Sequence, residues 1–482
     1  MPSAVPQHAL SPGTIDAMSV ARECVSMTWP DFAARLRYPA DAEEHFEEVH
    51  SALERKFPSA FKDLDRYGGD SYAIDGLYPG AMCWQNSTAG NPTCVPAYEA
   101  IWMTHERLGG GFRKQGGWTG RRKPLRTVFG GFVPLFIRWM ELIRLISTPT
   151  NESGSVQESK LMPMVMELQH VLRPDVAYVT ASVDDHGLGM LSQMLPNLVV
   201  LGVGGYAHVP LPEFNPLDGH DPLDADDAAA LQAASKPFTS RPMLFSFLGS
   251  TYDDLPTEPM GPIRRQMCAQ AEAAGMAPPR VNFTLCMKSP RYEEYLRNSS
   301  VTLSPRGYGR NALRHGDVLR MHNLPVAVYD DVEFVPYREL WPTFAWSTSL
   351  DALPSLIQEL KGTSEGSFQA RLATLRHLLP THFTVRGVVE QMRAFSLGRG
   401  DLKCQRLPTC PQTDCDIIYA QQPYATNATT NATTLSRPRV DCTIAHVAAA
   451  YGSPPVLPLR MTAQRRRDCF GWRWGDDGSG QK

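Results

Sequence analysis

Three arginines, three glycines and two carboxamide or carboxylate side chains crowd the stretch Ser304-Pro305-Arg306-Gly307-Tyr308-Gly309-Arg310-Asn311-Ala312-Leu313-Arg314-His315-Gly316-Asp317. The apolar runs Val301–Leu303 and Pro325–Tyr329 flank it, so the pattern predicts strand, Gly-rich turn, helix, strand. Asn311 suits a helix N-cap, because its side chain can accept an orphan backbone N–H of the first turn. Gly307 and Gly309 let the backbone turn tightly and approach a ligand. Arg306, Arg310 and Arg314 would then surround the positive end of the helix, a place suited to an anion and best of all to a diphosphate. Asp317, one turn beyond Arg314, offers a carboxylate to sugar hydroxyls. The same residues fit a plainer account, in which Arg314 and Asp317 are a surface i,i+3 ion pair and Gly-Tyr-Gly is a loop.

The order of these residues resembles the exostosin family of glycosyltransferases. Leu303 to Gly309, Arg314-x-x-Asp317 and Leu324-Pro325-Val326-Ala327-Val328 correspond to that family's Ser-Pro-Arg-Gly segment, its Arg-x-x-Glu pair and its Pro-Val-Ile strand. Upstream, Leu244 to Ser250 with Arg264 resembles the family's Phe-x-Gly strand end and the arginine that follows. Downstream, Phe334-Val335-Pro336-Tyr337, Trp341 and Phe344-Ala345-Trp346-Ser347 resemble its Pro-Phe…Trp…Phe-Ser segment. The likeness runs over residues 241–360. Weaker likenesses precede it at Phe132 to Leu135, Asp185-His186-Gly187 and Val209 to Pro212.

The resemblance implies a fold and an activity. The fold is α/β, two Rossmann-like doubly wound domains in the GT-B arrangement, with a Cys-rich C-terminal tail. The activity is inverting transfer of a hexosyl or glucuronosyl group from a UDP-sugar to a glycan or polysaccharide hydroxyl, with no metal and no other cofactor. Arginines and helix N–H groups would carry the leaving diphosphate instead. On this likeness Gly249, Arg264, Arg306, Gly307, Tyr308, Arg314 and Asp317 form the nucleotide-sugar site. Asp317 stands where the family has glutamate and Ala312 where it has serine. The base that deprotonates the acceptor is assigned to Asp185 or His186, with a turn-forming, helix-capping Asp185 as the alternative. Tyr308 either stacks on the uracil or packs. The two departures favour a second class of function, a catalytically silent subunit that binds glycan or stabilises a partner transferase as a hetero- or homodimer. A Rossmann-type oxidoreductase is excluded, since no Gly-x-Gly-x-x-Gly follows an early strand.

The elements that must position these groups are legible as a coarse pattern. Phe46, Val49, Leu53 and Phe57 fall on one face of a helix over 40–57. Residues 78–126, rich in Gly, aromatics and Cys, read as irregular loop, with a basic run between Arg113 and Lys123 that is either solvated or faces an acidic acceptor. A helix over 158–172 leads to strands at 176–181 and 198–203, with the polar turn 182–187 and a helix through Leu195 between them. This pattern is Rossmann-like, and the exostosin resemblance implies that residues 1–214 are the acceptor domain, with the loop-rich stretch as an insertion. The acidic, Ala/Pro-rich stretch 215–240 is a linker, and its Asp224-Ala225-Asp226 reads as chance rather than a metal motif. Over 241–398 strands at 243–247, 281–285, 301–303 and 325–329 alternate with helices at 261–274, 290–298, 311–322 and 351–361. This alternation argues for a parallel sheet with its ligand at the strands' carboxyl ends. Helices at 366–379 and 386–396 are expected to cross back to the first domain.

The chain has 482 residues and a net charge of −3, which removes the basic footprint of a nucleic-acid binder. Ten cysteines and six Asn-x-Ser/Thr sequons, at Asn86, Asn151, Asn282, Asn298, Asn427 and Asn431, fit an oxidising compartment. Cys83 with Cys94 and Cys268 with Cys286 are expected local pairs. Cys24 is expected to join Cys404, Cys410, Cys415, Cys442 and Cys469 in three more, in preference to a zinc site. The tail 399–482 carries two sequons and Arg465-Arg466-Arg467, which could meet acidic glycans. No signal peptide is visible at the first residues, and charges at Arg138, Glu141 and Arg144 break the apolar stretch 128–146. The exostosin resemblance nevertheless implies the Golgi lumen or the secretory pathway.

Overall fold

The structure is a computed structural model that describes residues 15, 17, 20–27, 29–61, 81–85, 92–96, 112–114, 117–119, 124–139, 142, 161–183, 188, 195–205, 207–213, 236–249, 261–275, 285–287, 291–307 and 309–405. The chain divides into two compact units. The first comprises 1–47, 63–137 and 173–407, and the second 48–62, 138–172 and 408–482.

Helices α1 (Val20–Ser26) and α2 (Trp29–Arg35) precede α3 (Ala42–Lys56). In α3 the expected apolar stripe is real: Phe46, Val49 and Leu53 are buried, as is Phe57 just beyond it. Within the second unit, His50 meets the Phe61 ring edge-on, the Arg138 N–H donates to the Ala60 carbonyl at 3.1 Å, and Lys56 pairs with Glu167.

Residues 78–126 differ from the irregular loop expected. They contain two antiparallel hairpins, β1 (Ala81–Gln85) with β2 (Pro92–Pro96), and β3 (Phe112–Lys114) with β4 (Gly117–Thr119). Short strands of mixed composition carry no clean period-2 alternation, so the sequence hides them. The register sets Cys83 opposite Cys94.

Two parallel sheets form the core of the first unit. The first has β5 (Val133–Pro134), β6 (Tyr178–Ser182), β7 (Leu198–Gly202) and β8 (Val209–Pro210), in that order. Every residue of β6 and β7 is buried, Thr180 and Ser182 included, as parallel strands covered on both faces should be. Helix α4 (Leu125–Phe129) leads into this sheet, and α5 (Leu161–Val171), nearly the helix expected at 158–172, lies between β5 and β6 in the chain.

The second sheet has β9 (Met243–Leu248), β10 (Leu285–Met287), β11 (Ser299–Pro305), β12 (Leu324–Tyr329) and β13 (Trp346–Ser349). Its order is β10-β9-β11-β12-β13, all parallel. Helix α6 (Gly261–Gly275) lies between β9 and β10, α7 (Tyr292–Asn298) between β10 and β11, and α8 (Arg314–Arg320) between β11 and β12. Strand β10 falls later than the 281–285 expected, with a register shift where Cys286 takes φ +66°. Helix α8 is shorter than the expected 311–322 because residues 309–313 form the turn that leads into it.

After α9 (Trp341–Phe344) and α10 (Leu353–Lys361), helices α11 (Glu365–His382) and α12 (Val385–Ser396) start on true caps. The Ser364 hydroxyl accepts from the Ser367 N–H, and the Thr384 hydroxyl from the Gly387 N–H. Helix α12 does cross back: Phe395 stacks on Phe132, beside the first sheet, with centroids 6.4 Å apart, and Phe32 meets the same Phe132 ring at 6.2 Å. Gly398 and Gly400, at φ +75° and +83°, then turn the chain so that the Gln405 N–H reaches the His208 carbonyl at 2.8 Å. Cys404 closes a disulfide with Cys24. The architecture is α/β, built on two parallel sheets.

Candidate functional site

The order β10-β9-β11 places β9 between strands reached by connections that leave in opposite directions. Such a switch point opens a crevice at the strands' carboxyl ends, the usual ligand position in parallel sheets. Here those ends are Phe247-Leu248-Gly249 on β9 and Pro305-Arg306-Gly307 on β11. Most of the residues expected to bind nucleotide sugar converge on this place.

Arg314, the first residue of α8, lays its guanidinium 4.6 Å from the Phe247 centroid and 5.4 Å from that of Tyr292. Arg264, in the first turn of α6, lies 5.9 Å from the same Phe247 ring, and its Nη2 donates to the Arg306 carbonyl at 3.4 Å. Two guanidiniums gathered on one aromatic ring favour an anion as their common partner. Gly249 leaves the space that this placement of Arg314 uses. A β-carbon on it would come within 2.7 Å of the Arg314 Nη2 atom and 3.0 Å of the Phe247 ring. Gly307 is less constrained, since its β-carbon would meet the Asn311 carbonyl oxygen at an easier 3.4 Å.

The three arginines of the turn do not act as one set. Arg306 makes a two-pronged ion pair with Asp330, at 2.7 and 3.1 Å. Arg310 binds Asp331 through Nε at 2.7 Å and donates from Nη1 to the Gly205 carbonyl at 3.3 Å. Both carboxylates follow the end of β12, so the sheet that presents the arginines also supplies their counter-ions. Arg314 has no such carboxylate partner among the described residues. It donates instead to the Tyr292 hydroxyl at 3.4 Å, which itself donates to Asp317 Oδ2 at 3.1 Å.

Asn311 is not the N-cap. Leu313 holds that position without a side-chain bond. The Asn311 side chain is committed elsewhere: its Nδ2 donates to the Leu211 carbonyl at 2.9 Å, and its Oδ1 accepts from the Ala312 N–H at 2.8 Å and from His315 Nδ1 at 3.0 Å. Because Oδ1 is an acceptor, His315 must carry its proton on Nδ1. His315 is buried against the edge of Trp341, and desolvation, with the Arg314 charge second, lowers its pKa to about 3. It is neutral at physiological pH.

Asp185, His186 and Tyr308 lie outside the described residues, as do Asp224, Asp226, Arg113 to Lys123 taken as one run, and the tail from 406 onward. Cys268–Cys286 is a disulfide, as expected, and Cys24 takes Cys404. Among the described residues no group of three His, Cys, Asp or Glu side chains could hold a metal ion, and no helix is long and apolar enough to cross a membrane. Tyr292, Asp330 and Asp331 are the site residues that motif spacing did not find. Phe247 lay within the Phe-x-Gly strand end, Phe247-Leu248-Gly249, but was given no role there. No family model matches this chain, and no curated protein matches its sequence.

Proposed function

We propose that the chain is an exostosin-like, inverting glycosyltransferase that moves a sugar from a UDP-sugar to a glycan hydroxyl. The observation that carries this reading is the gathering of Arg264 and Arg314 on Phe247, beside Gly249, at the carboxyl edge of the second sheet. In this reading the two sheets belong to two Rossmann-like lobes in the GT-B arrangement, and the second lobe binds the donor. Arg264, Arg306 and Arg314 hold the diphosphate and stabilise it as it leaves. Gly249 and Gly307 admit it close to the backbone, and Asp317 accepts from the ribose. Tyr308 belongs to the same pocket, and Asp185 or His186 supplies the base from the first lobe. The two disulfides support an oxidising, secretory compartment, the Golgi lumen in particular.

The test is calorimetry and UDP release with a panel of UDP-sugars, run beside Arg314→Ala and Asp317→Ala. Binding and release in the parent, lost in both variants, establishes the donor site and names the sugar. A folded parent that binds no nucleotide sugar removes the reading.

A second reading, a catalytically silent partner subunit, is favoured by one observation. Asp330 and Asp331 already neutralise Arg306 and Arg310, leaving less positive charge for a leaving diphosphate. Donor binding without UDP release against any acceptor would support it.

A further inference from the structure

We propose that Tyr292 is a positioning residue of this site, fixing Arg314 and Asp317 in one geometry and thereby setting selectivity for a ribonucleotide. The proposal rests on the donor-site reading and goes beyond it, since Tyr292 lies outside every motif that led to the site.

Tyr292 opens α7, the helix that precedes β11, whereas Arg314 and Asp317 lie on α8, which follows it. The two helices meet through Leu296 on one side and Val318 and Met321 on the other, all buried, with Tyr292 packed against that cluster. The ring is therefore anchored before it touches either charged group. Its face lies 5.4 Å from the Arg314 guanidinium, which also rests on Phe247. A cation held against two rings loses most of its rotational freedom.

The hydroxyl adds direction. A phenol has one proton to give, and its neighbours fix where that proton goes. The guanidinium can only donate, so Arg314 Nη1 donates to the oxygen at 3.4 Å, and the hydroxyl proton turns to Asp317 Oδ2 at 3.1 Å. Arg314 is thus oriented at both ends: Nη1 is tied to Tyr292, and Nη2 is the atom that a β-carbon at position 249 would strike. Nη2 consequently faces the backbone at the end of β9, where a diphosphate would approach. Asp317, held by the same hydroxyl, keeps its carboxylate beside that arginine. One side chain couples the group assigned to the diphosphate with the group assigned to the ribose.

The consequence is a specificity that a merely structural tyrosine would not confer. Removing the hydroxyl leaves the ring beside Arg314 but takes away the bonds that direct Arg314 Nη1 and Asp317 Oδ2. Affinity for a ribonucleotide should fall further than affinity for its 2′-deoxy counterpart, which loses only the tether on Arg314. Tyr292→Phe tests the hydroxyl alone, and Tyr292→Leu removes the ring as well. Both variants and the parent would be titrated with uridine diphosphate and 2′-deoxyuridine diphosphate by calorimetry, with thermal unfolding as the control for folding. The expected result is about tenfold weaker UDP binding by Tyr292→Phe, near-equal affinity for the two ligands, and an unfolding midpoint close to the parent's. Tyr292→Leu should weaken both ligands further, through loss of the ring under Arg314. If Tyr292→Phe keeps the parent's preference between UDP and its deoxy analogue, the positioning role is overturned and the donor site stands. If the folded parent binds neither ligand, the donor site and the role of Tyr292 fall together.

Discussion

Gly249 follows β9 directly, at a point where any β-carbon would approach the Arg314 Nη2 atom to 2.7 Å. The struck atom is the far end of a flexible side chain, so the fold can absorb Gly249→Ala by moving the guanidinium off Phe247. The site cannot. If Arg314 is the principal cation for the diphosphate, the variant should unfold near the parent's midpoint yet bind UDP roughly ten- to a hundredfold more weakly, the worth of a charge-assisted hydrogen bond. Calorimetry and a thermal melt on the same sample separate the two effects. Unchanged UDP affinity would mean that Arg314 serves packing alone.

Asp330 and Asp331 are internal competitors for any anion that Arg306 and Arg310 would bind. Both carboxylates are partly exposed, so each pair should contribute only about 0–1 kcal/mol to stability. Asp330→Asn and Asp331→Asn should therefore leave the melting behaviour almost untouched. Each should tighten UDP binding several-fold by freeing a guanidinium, most clearly at low salt, where Coulomb terms are least screened. Weaker binding in either variant would show instead that the carboxylate holds its arginine in place for the ligand.

Two buried histidines make stability depend on pH in a defined direction. Desolvation lowers His208 to about 4, and His315 falls to about 3. The unfolded chain takes up both protons near the ordinary histidine pKa of roughly 6.5, and the folded chain refuses them. The unfolded state thus binds more protons, so this stability is fully present above pH 6.5 and is lost as pH falls toward 4 and then 3. Unfolding free energy from denaturant titrations should decline across that window. His315→Gln, which can still donate to Asn311 Oδ1, should reduce the slope by about one proton. An unaltered slope would mean that His315 titrates normally in the folded protein.

What could be read from the sequence follows the range of the forces involved. The run Leu198 to Leu201 is apolar throughout, and Leu244 to Leu248 is apolar but for Ser246, because both faces of a parallel strand are covered, and that signal is local. Gly249, Arg306 and Arg314 were recognisable through their order along the chain, again a local property. Tyr292 was not, because its place against Arg314 depends on α7 and α8 meeting, which follows from the β10-β9-β11-β12 strand order rather than from spacing. The fate of the arginines was hidden for the same reason. Arg306 and Arg310 lie more than twenty residues from Asp330 and Asp331, and only the parallel pairing of β11 with β12 brings those ends together. Asn311 has the composition of a helix cap, yet a tertiary bond to the Leu211 carbonyl outweighs that local preference.

The Cys268–Cys286 disulfide joins α6 to β10, and Arg264 stands one helical turn before Cys268. Cross-linking positions only 18 residues apart should stabilise the fold by about 3 kcal/mol through restriction of the unfolded chain. The same bond fixes the helix that carries Arg264 toward Phe247. Cys268→Ala with Cys286→Ala should therefore lower the unfolding midpoint and also weaken UDP binding at temperatures where the variant is fully folded. The second effect distinguishes positioning from plain stability. Arg264→Ala introduced into the disulfide-free protein should then cost less UDP affinity than it costs the parent, because the two changes act on one contact and are not additive. Equal losses in both backgrounds would show that α6 holds Arg264 without help from the disulfide.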